Sequence, residues 1–383
     1  MNERVDFKVE KGLAGVYVDT TAIADVDGER GRLSYRGYDV ADLVGLDYDA
    51  VVWLVLFGEL PDHDQRRWLG GLLRERGTLS AYEIALIEQL PADTHPMAAL
   101  QALVPVSDTP LAALADPYAL GADALTGLLL IAKLPVLLAA LHQRHSGRPI
   151  ALAQRYEAYH DNFIANFLGE APTPQQRAIL DVTQILQMEH SFNAGTFTCR
   201  VVASTLASLK SSVAAGYGAL SGPLHGGADE AALAMAQAIG APERAEAFVA
   251  DQLAAKQKIM GMGHREYRTV DPRAKILKPL AAQLCAGTPH ENLFRILESV
   301  ESAFRAAMLR SGKDLWANVD FYKGAVYTAL GIEPRYFTAL FAMARTVGYV
   351  AHFLETRLDN KLVRPRALYN GPAPRTPAQE AAS

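Results

Sequence analysis

Two histidines in this sequence stand in segments rich in helix-breaking residues. His225 lies in Ser221-Gly-Pro-Leu-His-Gly-Gly-Ala-Asp229, and His264 directly follows Gly261-Met-Gly263. Proline cannot continue a helix, and glycine removes side chains that would crowd an imidazole and its neighbouring backbone. Both segments are therefore typical of loops that expose a polar ring to a ligand. A plain helix connection is the alternative for each segment taken alone, and the repetition of the pattern favours a site.

Two charged residues lie in stretches that otherwise have the pattern of buried segments. Asp320 stands between Val319 and Phe321, and Arg345 is the strong charge of the helical pattern 336–354. Apolar surroundings raise the pKa of a carboxyl group, which makes the carboxylate a stronger base near neutral pH. A buried guanidinium is costly without an anion, which either the protein or a ligand must supply. For Asp320, an N-cap of the helix from Phe321 onward is the alternative.

Further candidates lie beside these residues. His190 stands at a junction between two helical patterns, where free N–H groups and the positive end of the next helix suit an anionic ligand. Simple capping by Ser191 or Asn193 is the alternative. Arg268 and Arg273 follow His264 closely, and no strand pattern precedes the Gly-x-Gly pair, so the sequence does not predict a dinucleotide fingerprint.

The elements that must position these residues are mainly helices. Alternation between Gly12 and Tyr38, with a turn signal at Asp27-Gly28, predicts a small N-terminal β-hairpin, and Asp39 can cap a helix that begins at Val40. Arg36 is interpreted as a solvated turn residue. Helical periods separated by proline and glycine cover 48–57, 62–76, 80–89, 96–104, 121–142, 150–167, 174–189, 192–214, two segments within 229–260, 290–311 and 336–354. The predicted fold class is mainly α.

Composition limits the class of function. The chain has 383 residues, half of them hydrophobic, and a net charge of -5, which argues against general attraction to nucleic acid or anionic membranes. The apolar run 127–141 is too short to span a bilayer and is interpreted as a buried helix of a soluble protein. No signal peptide is expected at the N-terminus. Cys199 and Cys285 form no CxxC pair and suit a reducing compartment, so we expect a cytoplasmic protein.

An ordered set of motifs covers nearly all of the chain from Gly12 to Gly371. The motifs are Gly12-Leu-Ala-Gly15, Leu33-Ser-Tyr-Arg-Gly-Tyr38, Glu189-His190 followed by Asn193-Ala194, Gly222-Pro-Leu-His-Gly-Gly227, Gly263-His264-Arg265, Asp271-Pro-Arg-Ala-Lys275, Asn318-Val-Asp-Phe-Tyr322 and Arg364-Pro-Arg366. In this order they resemble the citrate synthase family, which includes the 2-methylcitrate synthases.

The resemblance implies an almost wholly helical homodimer. Residues 1–226 and 331–383 would form a large domain, residues 227–330 a small one, and the active site would lie in the cleft between them. The implied activity is the condensation of acetyl-CoA with oxaloacetate and water to citrate and CoA, through an enol or enolate and a citryl-CoA intermediate. The resemblance implies no metal and no bound redox cofactor, and acyl-CoA as a co-substrate.

The resemblance also implies a role for each matching residue. Asp320 would remove a methyl proton from the acyl-CoA, His225 would donate to the enol oxygen, and His264 would polarise the ketone and protonate the new alkoxide. The carboxylates of oxaloacetate and citrate would be bound by His190, Arg273, Arg345 and, from the second subunit, Arg364. CoA would meet Arg268, Lys258 and the backbone of Ile259, Met260, Gly261, Met262 and Gly263.

Several positions depart from the family pattern. Ser221 and Asp229 stand where many relatives have Lys and Asn, Gly195 where Ser is frequent, and Glu266 where an apolar residue is usual. If Asp229 lay close to His225, it would raise the pKa of the imidazole, and a neutral donor role for His225 would be less secure. The short N-terminus predicts none of the NADH inhibition of larger relatives.

Other functions compete with this one. A 2-methylcitrate synthase using propionyl-CoA differs by one methylene group, which is worth only about 1–3 kcal/mol of discrimination. A thioester hydrolase would use Ser221, His225 and Asp320, although the sequence has no nucleophile elbow. A helical module could instead bind a metal through His190, His225 and His264. A helical scaffold without chemistry would leave Arg345 unexplained.

Overall fold

The structure is a computed structural model and describes residues 9–375. Its helices are α1 (Val40–Leu43), α2 (Tyr48–Phe57), α3 (His63–Arg76), α4 (Ala81–Gln89), α5 (Pro96–Leu103), α6 (Ala122–His145), α7 (Tyr159–Leu168), α8 (Pro174–Gln187), α9 (Ala194–Ser204), α10 (Leu209–Leu220), α11 (Ala228–Ile239), α12 (Ala245–Ala254), α13 (Pro272–Cys285), α14 (Glu291–Arg310), α15 (Val319–Ala329) and α16 (Phe337–Leu358). Short 3-10 helices cover Lys11–Leu13, Val104–Val106, Leu111–Ala113, Pro242–Arg244 and Pro334–Tyr336. The predicted mainly α class is confirmed.

The predicted hairpin is part of a three-stranded antiparallel sheet. Strands β1 (Ala24–Asp27), β2 (Arg32–Tyr35) and β3 (Tyr38–Asp39) lie side by side in chain order, and Ala24 pairs with Tyr35. The alternating Val16 and Val18 lie outside the sheet and are exposed, so that part of the prediction was wrong. The expected cap is present, because the Asp39 side chain accepts from the Ala41 N–H in the first turn of α1.

The sheet is fixed to the segment that carries His190. The buried Tyr35 hydroxyl donates to the carbonyl oxygens of Ile185 and Glu189, each at 3.0 Å. Arg36 is not a solvated turn residue, because its Nε and Nη2 donate to the Val55 carbonyl at 3.2 and 2.9 Å. Backbone carbonyls at a helix end are natural partners for a guanidinium. Arg36 therefore links the turn after β2 to the end of α2.

Two long helices form the centre of the core. By length and composition α6 and the segment Pro334–Leu358 could cross a membrane, but 94% of the apolar window of each is buried inside the protein. Buried apolar helices of this kind are common in protein cores. The predicted burial of 127–141 is therefore confirmed, despite the Pro135 within α6. Cys199 and Cys285 are free and buried, as expected.

Two predicted helices end or begin elsewhere. Residues 151–156 are not helical, because side-chain amides satisfy their backbone groups: the Ala151 N–H donates to Gln143, and the N–H groups of Arg155 and Tyr156 donate to Asn162, all at 2.8–2.9 Å. Such local side-chain bonds compete with helix formation. The continuous helix predicted for 192–214 is two helices, α9 and α10, because the chain turns at 205–208 and Ser208 caps α10.

Helices α11 to α15 pack mainly on one another. Helix α15 lies against α11 and α13, while α14 packs against α12. Contacts with the remaining helices include those of α11 with α16 and of α13 with α1 and α8. The division into a domain of 1–226 with 331–383 and a domain of 227–330 stays a prediction. Helices α11, α13 and α15 each begin next to candidate site residues.

Candidate active site

His225 lies in a loop of turns between α10 and α11. A Cβ on Gly226 would lie 2.4 Å from the Leu220 carbonyl oxygen, so this glycine permits close packing of the backbone. The sequence had instead suggested that the glycine makes room for the His225 imidazole. The His225 Nε2 is 3.4 Å from the Gly195 N–H nitrogen and 3.2 Å from Asn193 Oδ1. When Nε2 donates to Asn193 Oδ1, the proton of the neutral ring is on Nε2; when Nε2 accepts from the Gly195 N–H, the proton is on Nδ1. That tautomer leaves Nδ1 as a donor.

The charge state of His225 is set by burial. Burial lowers the pKa of its imidazole to about 4, and the neighbouring Arg345 guanidinium acts in the same direction. Asp229 does not raise this pKa, because its carboxylate pairs with Lys323 instead. Asp229 therefore does not affect the role of His225 as a neutral donor, and His225 is neutral at neutral pH.

His264 has its tautomer fixed by the backbone. Its Nδ1 accepts from the N–H groups of Glu266 and Tyr267 at 3.0 and 3.3 Å, so the proton of the neutral ring is on Nε2. Burial, together with the Arg273 guanidinium, lowers the pKa of His264 to about 4. Arg273 Nη2 lies 3.5 Å from the same Nε2. Two N–H donors, one from each side chain, therefore lie side by side, an arrangement suited to an anionic or carbonyl oxygen.

His190 lies beside His264. The ring centroids of the two histidines are 5.3 Å apart, and the His190 Nε2 is 3.0 Å from the Tyr267 hydroxyl. Burial, followed by the charges of Arg273 and His264, holds the pKa of His190 well below its ordinary value. Asn193, rather than Ser191, caps α9 by accepting from the Thr196 N–H at 3.1 Å. The capping alternative therefore explains Asn193, and His190 has no capping role.

Asp320 lies in the first turn of α15 and does not cap it. Asn318 is the N-cap and accepts from the Asp320 N–H at 3.0 Å. The expectation of purely apolar surroundings was wrong, because Lys323 Nζ lies 2.7 Å from Asp320 Oδ1. The carboxylate thus has one oxygen bound by an ammonium, and 13% of its side chain is exposed.

The groups that were predicted to converge do so. The Asp320 carboxylate acts electrostatically on the imidazoles of both His225 and His264, raising the pKa of each against the effect of burial. Arg345 acts on His225 and on His190. Because such interactions decay with distance, one carboxylate, three neutral imidazoles and a guanidinium share one region.

Arg345 carries an unsatisfied buried donor. The residue is 1% exposed, its Nε donates to the Gln187 carbonyl at 2.9 Å, and its Nη1 has no hydrogen-bond partner among the described residues. Burial lowers the pKa of Arg345, and the charge of Glu189 opposes this effect. A buried guanidinium nitrogen without a partner is costly, and an anionic ligand would satisfy it.

Arg273 is already paired within the protein. Its Nε and Nη2 donate to the two carboxylate oxygens of Asp271 at 3.0 and 2.9 Å. Asp271 also caps α13 and accepts from the Val319 N–H at 3.1 Å, so it connects the beginnings of α13 and α15. The bidentate pair leaves Nη1 of Arg273 for another partner and holds the guanidinium at a fixed angle.

The segment predicted to meet CoA is joined to the strand-like residues before Asp320. Met262 forms a β-bridge with Ala317, the Gly263 N–H donates to the Trp316 carbonyl at 2.7 Å, and the Asn318 N–H donates to the Gly261 carbonyl at 2.9 Å. Gly261 has φ +77°, and a Cβ there would lie 2.9 Å from the Phe321 Cα. The loop position is therefore fixed relative to α15.

The side chains of this segment differ in exposure. Ile259 is buried and Met260 is half-buried, whereas Lys258 and Arg268 are exposed. The Arg268 N–H donates to the Gly28 carbonyl at 2.9 Å, which holds the loop against the turn between β1 and β2. Two exposed cations next to a fixed glycine loop are compatible with phosphate groups.

Two residues named from the sequence are not brought to this region. Arg364 lies in an exposed extended segment, where it donates to the Pro365 carbonyl. Ser221 is exposed at the end of α10, and its hydroxyl donates to the Gly218 carbonyl at 2.8 Å. That geometry gives Ser221 no base, so the hydrolase alternative loses its nucleophile.

Sequence reasoning did not single out four residues of the site. Lys323 bonds to Asp320, Asp271 bonds to Arg273, and Tyr267 bonds to His190. Glu189 lies buried near Arg345, with its Oε1 2.9 Å from His352 Nε2. Lys323 had a visible signal, since it is a charge within the apolar pattern of α15 and stands one turn after Asp320. For residues 9–375, no group of three or more His, Cys, Asp or Glu side chains is arranged to hold a metal ion.

Comparison with known proteins identifies relatives over nearly the whole chain. The sequence profile of the family described as citrate synthase, C-terminal domain, matches residues 12–366. The chain is 33% identical to the citrate synthase of Deinococcus radiodurans, with 95% of this chain and 96% of that protein covered. It is 36% identical to 2-methylcitrate synthase 1 of Corynebacterium glutamicum, with 96% of each covered.

A solved structure shares the fold. The citrate synthase of Thermoplasma acidophilum, in a ternary complex with carboxymethyl coenzyme A and oxaloacetate, matches with a TM-score of 0.89 and 30% identity, over 96% of this chain and 98% of that one. The fold and the site thus define a helical enzyme in which a carboxylate and buried imidazoles lie near a buried guanidinium. The chain belongs to the citrate synthase family. It is a transferase of the citrate synthase type, in which an acyl group becomes an alkyl group on transfer.

Proposed function

We propose that this enzyme condenses acetyl-CoA with oxaloacetate and water to give citrate and CoA. The observation that carries the proposal is the buried Nη1 of Arg345, which has no partner among the described residues and lies near His190 and His225. A dicarboxylate would satisfy it next to the imidazoles. The relative with oxaloacetate and a CoA derivative bound supports the same choice of substrates.

Asp320 is the proposed base. A thioester methyl group is a weak acid, so proton removal requires a donor for the developing enolate oxygen as well as a carboxylate. His225 fits that donor role, because burial keeps it neutral and one tautomer places its proton on Nδ1. With Oδ1 of Asp320 bound by Lys323, Oδ2 is the oxygen that would take the proton.

His264 is proposed to activate the acceptor. Its Nε2 carries the proton, since the backbone occupies Nδ1, so it can donate to the ketone oxygen and then protonate the new alkoxide. Arg273 and Arg345, with His190, would bind the carboxylates. Hydrolysis of the citryl-CoA intermediate would complete the reaction. These steps need only protein side chains, water and the two substrates, so we propose no bound cofactor.

The CoA portion is proposed to lie along residues 259–263. Exposed Lys258 and Arg268 supply charges for its phosphates, and the loop is fixed relative to Asp320 through Trp316, Ala317 and Asn318. That connection would place the thioester at a set distance from the base. A cytoplasmic location is also proposed, because the free buried thiols of Cys199 and Cys285 suit a reducing compartment.

Acetyl-CoA is expected to be the preferred acyl donor. Its kcat/KM should exceed that of propionyl-CoA by at least about tenfold, because one methylene group is worth about 10–200-fold in a fitted pocket. The measurement is free thiol release at matched acyl-CoA concentrations, with and without oxaloacetate. Equal or reversed preference would instead favour a 2-methylcitrate synthase. This alternative is worth testing because a 2-methylcitrate synthase is 36% identical to the chain. Release independent of oxaloacetate would contradict the condensation itself.

A homodimer in which Arg364 enters the partner's site is also proposed. The segment that carries Arg364 exposes large apolar side chains, among them Leu362, Leu368 and Tyr369, the last 76% exposed. Tyr17 near the other end is exposed as well. Exposed apolar segments of this kind are typical of protein–protein interfaces. A cation in such a segment can complete a site across a twofold axis.

Complementation between inactive variants tests the shared site. When Asp320→Asn and Arg364→Ala chains are co-expressed, each hybrid dimer should contain one intact site, restoring about a quarter of the wild-type activity in a random mixture. The matched control pairs Asp320→Asn with His264→Ala, whose residues belong to one chain's site, and should restore none. If the Arg364 mixture stays as inactive as the control, Arg364 does not act across an interface.

A further inference from the structure

A buried ammonium lies between two carboxylates at the candidate base. Lys323 is 0% exposed, and its Nζ is 2.7 Å from Asp320 Oδ1 and 3.1 Å from Asp229 Oδ2. It also donates to Gln187 Oε1 at 3.1 Å, and it lies 4.3 Å from the centre of the Phe341 ring. Burying a lysine is unfavourable unless counter-charges accompany it.

The arrangement follows from the packing of two helices. Lys323 and Asp320 are three residues apart on α15, so they share one helix face. Asp229 lies in the first turn of α11, which packs against α15, and it is 0% exposed. Its Oδ1 accepts from the Glu230 N–H at 2.8 Å, while the contact of Oδ2 with Lys323 is an ion pair without hydrogen-bond geometry.

The charges of Lys323, Asp229 and Asp320 affect one another. Burial opposes the charge of Lys323, yet Asp229 and Asp320 together raise its pKa above the ordinary value. Burial raises the pKa of Asp229 to about 6, with Lys323 opposing and Asp320 adding to that shift. Lys323 is therefore cationic at neutral pH, and the state of each carboxylate depends on the other.

We propose that Lys323 positions Asp320 and that Asp229 is the counter-charge that keeps Asp320 basic. The proposal rests on the role of Asp320 as the base. By holding Oδ1, the ammonium fixes the carboxylate rotamer and leaves Oδ2 to the substrate. An ammonium at 2.7 Å with no second anion would withdraw basicity from the carboxylate, and the carboxylate of Asp229 offsets that effect.

Other ionisable groups face this cluster from the packed elements, and the variants below leave them in place. They are His225 from the loop before α11, His264 from the loop before α13, Asp271 at the start of α13, Tyr327 on α15 and Arg345 on α16. Glu301 of α14 accepts hydrogen bonds from Tyr322 of α15 and Lys278 of α13. Differences between variants therefore report on the Lys323 and Asp229 charges.

Opposite shifts of the pH–rate profile test the proposal. In Asp229→Asn, Lys323 acts on Asp320 alone, so the acidic limb of kcat should move to lower pH by about one unit, with kcat at its plateau reduced about tenfold. In Lys323→Met, two carboxylates face each other without a cation, so the limb should move to higher pH by about one unit or more. The double variant should return the limb to within about 0.3 unit of the wild type.

A matched pair elsewhere separates positioning from stability. Lys133 and Glu83 form another buried ion pair, at 2.6 Å, between α6 and α4, and Lys133→Met should lower the melting temperature without moving the limb. If the Lys323 and Asp229 variants behave like Lys133→Met, their role is structural and the inference is wrong. If Lys323→Met does not fold, the isosteric Asp229→Asn still tests the proposal, because the acidic limb of its kcat profile must move to lower pH. A wild-type enzyme without oxaloacetate-dependent thiol release would instead contradict the proposed function.

Discussion

Replacing Asp320 by asparagine is expected to reduce kcat for oxaloacetate-dependent thiol release by about 10²–10⁴-fold. Asparagine keeps the size of the side chain and can still accept from Lys323, but it cannot take a proton from carbon. Asn318 caps α15, so the helix keeps its start. The KM values for both substrates should change little, because the carboxylate acts mainly in the transition state.

The measurement is steady-state thiol release from acetyl-CoA with and without oxaloacetate. Asp314→Asn is the matched control, since Asp314 is an exposed acid a few residues before α15 and should keep wild-type turnover. Circular dichroism should show the same helix content in both variants. Turnover of Asp320→Asn within about threefold of the wild type would remove Asp320 as the base.

Helix positions and caps were predictable because they depend on local sequence. The period of apolar residues gave α2, α3, α4 and α14 within about two residues, which is the usual uncertainty of helix ends. Asp39 caps the helix that the sequence assigned to it. The error at 151–156 arose because Asn162, from the next helix, satisfies that backbone, and periodicity contains no such information.

The site was predictable only where a residue is unusual on its own. Glycine-flanked histidines and an uncompensated arginine in an apolar helix are visible in the sequence, and the structure brings them together. The Lys323–Asp229 pair was not, because its members come from different helices and nothing in the sequence indicates that they pair. As a result, Asp320 was expected to lie in apolar surroundings, and Asp229 was considered only for its effect on His225 if the two lay close together. Charge pairs that are distant in sequence require the tertiary structure.

Arg345→Gln is expected to raise the KM for oxaloacetate by about 10–150-fold, the equivalent of about 1.5–3 kcal/mol for one charge-assisted hydrogen bond in a buried site. The KM for acetyl-CoA should change by less than about threefold, since the guanidinium would contact the dicarboxylate and not the thioester. Arg345→Lys should be intermediate, because it retains the charge without the planar pair of donors.

A second buried arginine supplies the control. Arg200 is also almost fully buried, but Asp19 and Glu355 accept from its Nη2 and Nη1 at 2.6 and 2.7 Å. Its charge is therefore satisfied within the protein, so Arg200→Gln should lower the melting temperature while leaving the KM for oxaloacetate unchanged. If both variants lose stability and neither changes that KM, the free Nη1 of Arg345 does not bind the substrate. A rise confined to Arg345→Gln would show that an unsatisfied buried donor is satisfied by the dicarboxylate.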